Sequence, residues 1–246
     1  MPILPIDSGR YLTREMAAIF EEEARLQYML RVEAALAWAL AEAGLIPRWA
    51  AEQIGEKAST RYVKLERVKE IEGQIGHDIM ALVEALAEVC GEAGKYVHYG
   101  ATSYDIVDTA TALQFKDALK VLEDKLNRLE EVLLKLTVKY KGTIMVGRTH
   151  GQHALPITLG LKFAVWLREV SRHIKRLNQC RERVLVGKLT GAVGTQAGFG
   201  PEGLRVQRLF MERLGLKPVE VSTQIVQRDR HAELICLLAL IASSLD

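Results

Sequence analysis

Cysteine is scarce and unpaired in this chain. Cys90, Cys180 and Cys236 lie far apart, form no C-x-x-C pair and are odd in number. That excludes a disulfide-stapled secreted scaffold and points to a reduced, cytoplasmic protein with buried thiols. An excess of one charge sign is lacking as well. Lys and Arg number 33 against 31 Asp and Glu, a formal net charge of +2. Neither nucleic acid nor an anionic membrane surface is therefore expected as the main partner. No long uncharged apolar run occurs and the mean hydropathy is +0.04, which argues against a membrane span. The N-terminal MPILPIDSGR has no basic region and does not read as a signal peptide. Asparagine occurs only at Asn127 and Asn178, amid abundant Glu, Lys and Arg, which points to a thermophilic source. Strand-like alternation of useful length, internal repeats and low-complexity tracts are missing too.

Helical periodicity is what the 246 residues do carry. Thr13 to Ala43 is free of Gly and Pro, with Met16, Ile19, Phe20, Met29, Leu30, Leu36 and Leu40 at helical spacing and a stop at Gly44 and Pro47. After a polar stretch, a second helix is expected from about Asp78 to Ala93. KYVHYGATSYD reads as a connector. Thr102 to Lys141 again lacks Gly and Pro, and Ala112, Phe115, Leu119, Leu122, Leu126, Leu129, Leu133, Leu136 and Tyr140 form a heptad seam. A helix of that length reaches about 60 Å. One small globule cannot cover such a rod, so a long bundle assembled from several chains is expected. A loop from Gly142 to Leu155 leads to a long helix with Pro156 in its first turn and an end near Gly187. GKLTGAVGTQAGFGPEG is loop, a short helix covers roughly Leu204 to Leu214, and a last helix starts near Ser222. The fold class is all-α. A small helical N-terminal domain (residues 1–100) precedes a central long-helix bundle domain (residues 101–246). The closing LICLLALIASSLD has no stop signal and reads as interrupted.

The candidate chemistry lies mainly between the long helices. His173 sits mid-helix between Arg172 and Lys175 and reads as structural. His77 and Asp78 stand at a helix start, where Asp is first of all a capping and dipole device. His98 precedes GATSYDIVDTA, in which Thr102 and Asp105 have capping-box spacing and Asp108 follows in the first turns. The plain reading is a well-capped helix. The functional one is that Thr102 and Ser103 present hydroxyls and free N–H groups to an anion. His150 and His153 lie in GRTHGQHALPIT without a nearby Cys or Glu partner, so zinc is not expected and no metal ligand is assigned. A loop histidine at the end of a rigid bundle suits general acid–base work, because an unperturbed imidazole exchanges its proton near neutrality. The glycine run fits neither a Walker loop nor a dinucleotide fingerprint, and reads as a mobile or close-packed loop. STQIVQRDRHAE would place Gln224, Gln227, Arg228, Asp229, Arg230 and His231 on one helix, as a solvated turn or a buried polar network.

GATSYDIVDTA, GRTHGQHALPITLG, GKLTGAVGT and STQIVQRDRHA, in this order, resemble the fumarase/aspartase superfamily. With Arg10 and Tyr11 in RY, and His77 and Asp78 in HD, they resemble its adenylosuccinate lyase family more narrowly. Carboxymuconate cycloisomerases share the TSxDxxDTA-like stretch but usually lack a histidine at the position of His150. The resemblance covers about Arg10 to the last residue. It implies a homotetramer with active sites shared by three subunits, and β-elimination of fumarate from adenylosuccinate (giving AMP) and from the succinyl-carboxamide ribotide (giving AICAR). No metal or organic cofactor is implied. It also implies His150 as general acid toward the leaving amine. His77 would hold the phosphate or support that acid, with Asp78 fixing it. Thr102 and Ser103 would bind the succinyl carboxylate, Arg10 and Tyr11 the nucleotide, and Gln224 the substrate from another subunit. His98 would help with the phosphate, and His153 keeps a structural reading.

One departure stands out. The family's base is a serine in a GSSxMPxKxNP signature, and these residues contain no such sequence; Ser243 and Ser244 in IASSLD are not that motif. Three readings follow: the N-terminal part of a lyase in purine nucleotide biosynthesis, another fumarate-releasing lyase of the superfamily, or a non-catalytic helical scaffold without the base loop. The 246 residues alone are expected to show negligible lyase activity.

Overall fold

The structure is a computed structural model and describes residues 13–245. Arg10 and Tyr11 lie outside the described residues. Helices dominate, as the all-α expectation requires, and their bounds follow local chemistry. The single helix expected from Thr13 to Ala43 is two: α1 (Arg14–Phe20) and α2 (Glu22–Glu42), broken at Glu21, whose ψ of 159° is extended. Three successive glutamates repel inside a helix but are favoured at an N-terminus, so Glu22 and Glu23 open α2 instead of continuing α1. The polar stretch that follows holds α3 (Arg48–Lys57) and α4 (Leu65–Ile75). Helix α4 buries Val68 and Ile71, with Leu65 partly buried on the same core, a short apolar stripe at helical spacing set among charged residues. Helix α5 (Asp78–Cys90) passes into a 3₁₀ turn (Gly91–Tyr96), and the long α6 runs Ser103–Lys139.

The chain divides into two compact units: residues through Ala118 with Leu185–Arg228, and Leu119–Val184 with the residues from Asp229 on. The first is centred on α2, with Leu26, Leu30, Leu36 and Leu40 essentially inaccessible, and on α5, with Leu82 and Leu86 buried equally fully. Helix α8 (Gly203–Leu214) packs on α2, and a two-residue strand β3 (Val186–Gly187) pairs in parallel with β4 (Lys217–Pro218).

In the second unit the expected loop from Gly142 to Leu155 is a β-hairpin. Strand β1 (Ile144–Thr149) pairs antiparallel with β2 (Gln152–Thr158), and α7 starts at Leu159, not at Pro156. Pro156 lies opposite Val146. A two-stranded hairpin leaves each strand one free edge, where a residue without an N–H is tolerated. Helix α7 (Leu159–Val184) runs antiparallel to α6, tied by Arg181–Glu123 (2.9 Å) and by the Ser171 hydroxyl on Glu130. One row of the heptad seam is buried, Leu119, Leu126 and Leu133 at 2%, 3% and 7% exposure, while Leu122, Leu129 and Leu136 of the other row are half-buried. Helix α9 (Asp229–Ser243) starts at Asp229, not near Ser222, so Gln224, Gln227 and Arg228 are not helical. It is bound to α7 by the Arg183–Glu233 ion pair, and in the turn just after it Ser244 Oγ donates to Glu169 (2.7 Å) and lies 2.8 Å from His173 Nε2. His173 is therefore a buried link between helices.

Cys90 and Cys180 are buried, and burial pushes the Cys90 thiol up to about 11. Cys236 is exposed, contrary to the expectation of buried thiols throughout. It sits on α9 near Ile235 and Leu238, both exposed as well. Among the described residues no helix is long and apolar enough to cross a membrane.

Candidate active site

Three of the four sequence motifs meet in the first unit, and two aspartates of α6 join them. Asp105 is fully buried. Its Oδ2 accepts from the Thr102 N–H (2.9 Å) and the Gly191 N–H (3.2 Å). Its Oδ1 accepts from Lys188 Nζ (2.6 Å) and the Thr190 N–H (2.9 Å). Lys188 has no exposed surface either, and also donates to the Gly191 carbonyl (3.0 Å). One turn on, Thr109 Oγ1 exchanges hydrogen bonds with the Lys188 backbone, accepting from its N–H and donating to its carbonyl at 2.9 Å each. Asp108 takes the third motif: its Oδ2 accepts from the Val226 N–H (2.7 Å), and its Oδ1 pairs with Arg228 (2.9 Å), whose guanidinium lies over the Tyr104 ring. Thr190 and Ser222 hydroxyls close the ring at 2.9 Å.

This arrangement resolves the glycine-rich stretch as close-packed. A Cβ on Gly198 would come within 2.7 Å of the Gly100 carbonyl, so the strap needs bare backbone where it crosses the connector ahead of α6. It also shows that the Thr102–Asp105 pair is more than a cap. Asp105 takes the Thr102 N–H, the acidic half of a capping box, while its other bonds go to residues more than eighty positions away. No described residue bonds the hydroxyls of Thr102 or Ser103 at the start of α6. Gln224 is exposed on the segment between buried Ser222 and Val226.

His98 lies on the connector with φ +62°, a region side chains other than glycine seldom adopt. Its Nδ1 is 2.6 Å from Glu33 Oε1 of α2. Burial opposes the imidazolium charge, but Glu33, by charge and by hydrogen bond, outweighs it with help from Asp105, so the His98 pKa is raised. A raised folded-state value gives stability that is fully present below the ordinary histidine pKa and is lost as pH rises through the raised value. Glu33 falls on the apolar stripe Leu26, Leu30, Glu33, Ala37, Leu40. That misplaced acid is the signal that could have revealed it from sequence.

His77 is the N-cap of α5, exposed, its Nδ1 accepting from the Met80 N–H at 3.3 Å. The Asp78 carboxylate accepts from the Ile79 N–H (2.8 Å) and stands 3.6 Å from His77 Nδ1, beyond hydrogen-bond reach.

The remaining motif belongs to the second unit. His150 (φ +51°) and Gly151 (φ +72°) are the central residues of the two-residue turn between β1 and β2, the geometry of a type I′ hairpin. Glycine adopts this freely, whereas His150 is held there against its own preference. Among the described residues only His98, His150 and Gln196 are non-glycine residues with positive φ. Such strain concentrates at functional positions. His150 and His153 are both exposed, and His153 lies opposite Arg148. Among the described residues no three of His, Cys, Asp or Glu gather as metal ligands.

A family described as lyase matches residues 9–246. The chain belongs to this lyase family. It is 58% identical to the adenylosuccinate lyase of Pyrococcus horikoshii over 100% of this chain and 54% of that protein. It is 43% identical to the N-acetyl-S-(2-succino)cysteine lyase of Enterococcus italicus over 96% of this chain and 52% of that one. A crystal structure of fumarate lyase from Mesorhizobium sp. BNC1 superposes with a TM-score of 0.88 at 41% identity, over 94% of this chain and 54% of the other. The chain spans about half the length of the curated relatives it matches.

Proposed function

We propose that the complete protein is an adenylosuccinate lyase of purine nucleotide biosynthesis, acting in the cytoplasm. It eliminates fumarate from adenylosuccinate to leave AMP, and from the succinyl-carboxamide ribotide to leave AICAR. The observation that carries the reading is the joined set of motifs at the start of α6, in a chain 58% identical to a protein of that name. The reaction breaks a C–H bond next to a carboxylate and the C–N bond beyond it, and forms the fumarate double bond. Fixed donors must hold the carboxylate on which charge builds. Thr102 and Ser103 supply hydroxyls at a helix N-terminus whose backbone Asp105 and Lys188 hold in place. His150 gives the proton to the leaving amine, which needs an exposed imidazole on a rigid turn. His77, with Asp78 beside it, and His98 serve the nucleotide phosphate. Arg10 and Tyr11 contact the nucleotide, and Gln224 reaches the substrate of another subunit. The signature of the serine base is not among the 246 residues, and no base is assigned within them. No metal or organic cofactor enters the chemistry.

The partner is a second set of the same chain. Exposed Val132, Leu134 and Val138 on α6, Leu161, Val165 and Trp166 on α7, and Ile235, Leu238 and Leu240 on α9 give the second unit's helices apolar surface beyond what the unit itself buries. Patches of this kind mark interaction surfaces, and a homotetramer with shared active sites accounts for them.

Ser103→Ala in the complete enzyme is expected to raise KM for adenylosuccinate about tenfold, the loss of one hydrogen bond to a carboxylate, while the unfolding midpoint stays put. Steady-state kinetics with parallel thermal melts decide it. An unchanged KM would remove Ser103 from the carboxylate site.

A further inference from the structure

The Glu33–His98 pair is not explained by packing. Glu33 is 1% exposed in the middle of α2, with leucines and alanines before and after it on the same stripe. Its Oε1 lies 2.6 Å from His98 Nδ1, while Oε2 is buried with no hydrogen-bond partner. A buried carboxylate with one bare oxygen is costly, and a neutral ring offering one N–H would offset little of that cost. A cationic ring facing it offsets much more. The groups that bear on His98 are Glu33 from α2 and Asp105 from α6, the latter neutralised by Lys188. With Nδ1 committed to Glu33, the ring presents Nε2 on its opposite side, and no described residue bonds it. The backbone at φ +62° holds the ring in this place at a conformational cost, four residues ahead of Thr102.

We propose that Glu33 is a positioning residue: its carboxylate fixes His98 as an imidazolium with Nδ1–H bound to the protein and Nε2–H directed to an anionic group of the substrate. The assignment rests on the reading that the enzyme takes an anionic nucleotide. The anion is the phosphate, since the hydroxyls at the start of α6 are given to the succinyl carboxylate. Glu33 touches no substrate and acts through His98 alone. Substrate affinity therefore holds at pH values where an ordinary histidine has lost its charge.

The test compares the wild-type, Glu33→Gln, Glu33→Asp and His98→Asn forms of the complete enzyme. KM and kcat for adenylosuccinate are measured from pH 6 to pH 8.5, with ¹³C-labelled histidine NMR of the substrate-free protein. Glutamine can accept from Nδ1–H but supplies no charge. The expected result is a KM raised about tenfold at the alkaline end. The increase shrinks toward pH 6, where His98 protonates unaided, and kcat stays within about twofold. In NMR, the His98 titration midpoint moves down in Glu33→Gln and is largely kept in Glu33→Asp. His98→Asn raises KM at every pH. A Glu33→Gln profile parallel to wild type, with an unmoved His98 midpoint, overturns the proposal. A merely structural role would lower kcat or the melting temperature without this pH dependence. If Glu33→Gln does not fold, Glu33→Asp and His98→Asn decide: loss of the wild-type pH dependence in the first, or an unchanged KM in the second, overturns it. If the wild type releases no fumarate from adenylosuccinate, the substrate reading fails, and the NMR midpoints still judge the pair.

Discussion

Replacing Lys188 with methionine is expected to destabilise the first unit by about 3–5 kcal/mol, the cost of leaving one member of a buried ion pair behind. The side chain has no exposed surface, and its ammonium is held between Asp105 Oδ1 (2.6 Å) and the Gly191 carbonyl (3.0 Å). Methionine fills the volume but leaves the Asp105 charge with backbone N–H groups alone. A loss of this size is a large share of the total stability of an ordinary domain, about 5–15 kcal/mol. Asp105→Ala is expected to cost more, since it strips partners from the ammonium and from the N–H groups of Thr102, Thr190 and Gly191 together. Denaturant midpoints at constant m-value measure both. A shift worth under about 1 kcal/mol for Lys188→Met, the worth of an exposed pair, would mean that the strap is not held by this contact.

His150→Ala in the complete enzyme is expected to lower turnover by roughly 10²–10⁴, the usual contribution of a positioned acid. The hairpin should survive. Its register rests on five residue pairings between β1 and β2, and His150 is an exposed turn residue whose φ of +51° disfavours any L side chain, alanine included. The fall should therefore appear in kcat, with the melting temperature nearly unchanged. His150→Gly relieves the backbone strain without restoring the imidazole, so it should be at least as stable as wild type and as impaired in turnover as His150→Ala. Turnover near the wild-type rate in either variant would take the proton-donor role away from His150.

Much of the helical scaffold was legible because its signals are local. The heptad seam of α6 needs only the order of its own leucines, and Leu119, Leu126 and Leu133 are buried as that order requires. The hairpin was not legible. Its register shifts between Val146 and Arg148, which breaks the period of two, and Pro156 reads equally well as a helix start. The α1–α2 break escaped because three glutamates do not announce an element boundary; α4 does carry Leu65, Val68, Ile71 and Ile75 at helical spacing, a signal masked by the charged residues between them. The motifs around Thr102, His150 and Gln224 stand out in the sequence, and the resemblance they carry is what assigns their roles. Lys188 and Glu33 could not be read as easily. A lysine in a glycine-rich stretch reads as solvated until Asp105, eighty-three positions earlier, is seen to bury it. Glu33 acquires its meaning from His98, sixty-five positions later. Long-range polar pairs are invisible to periodicity, although an acid on an otherwise apolar helical stripe is a usable warning.

The most direct test of the central claim is fumarate release by the complete protein, followed by ultraviolet absorbance. Adenylosuccinate, argininosuccinate and N-acetyl-S-(2-succino)cysteine would be offered at matched concentrations. The expected result is rapid release from adenylosuccinate with AMP formed in equal amount, and at most trace release from the other two. Preferential release from either of those, or no release from adenylosuccinate, would contradict the assignment.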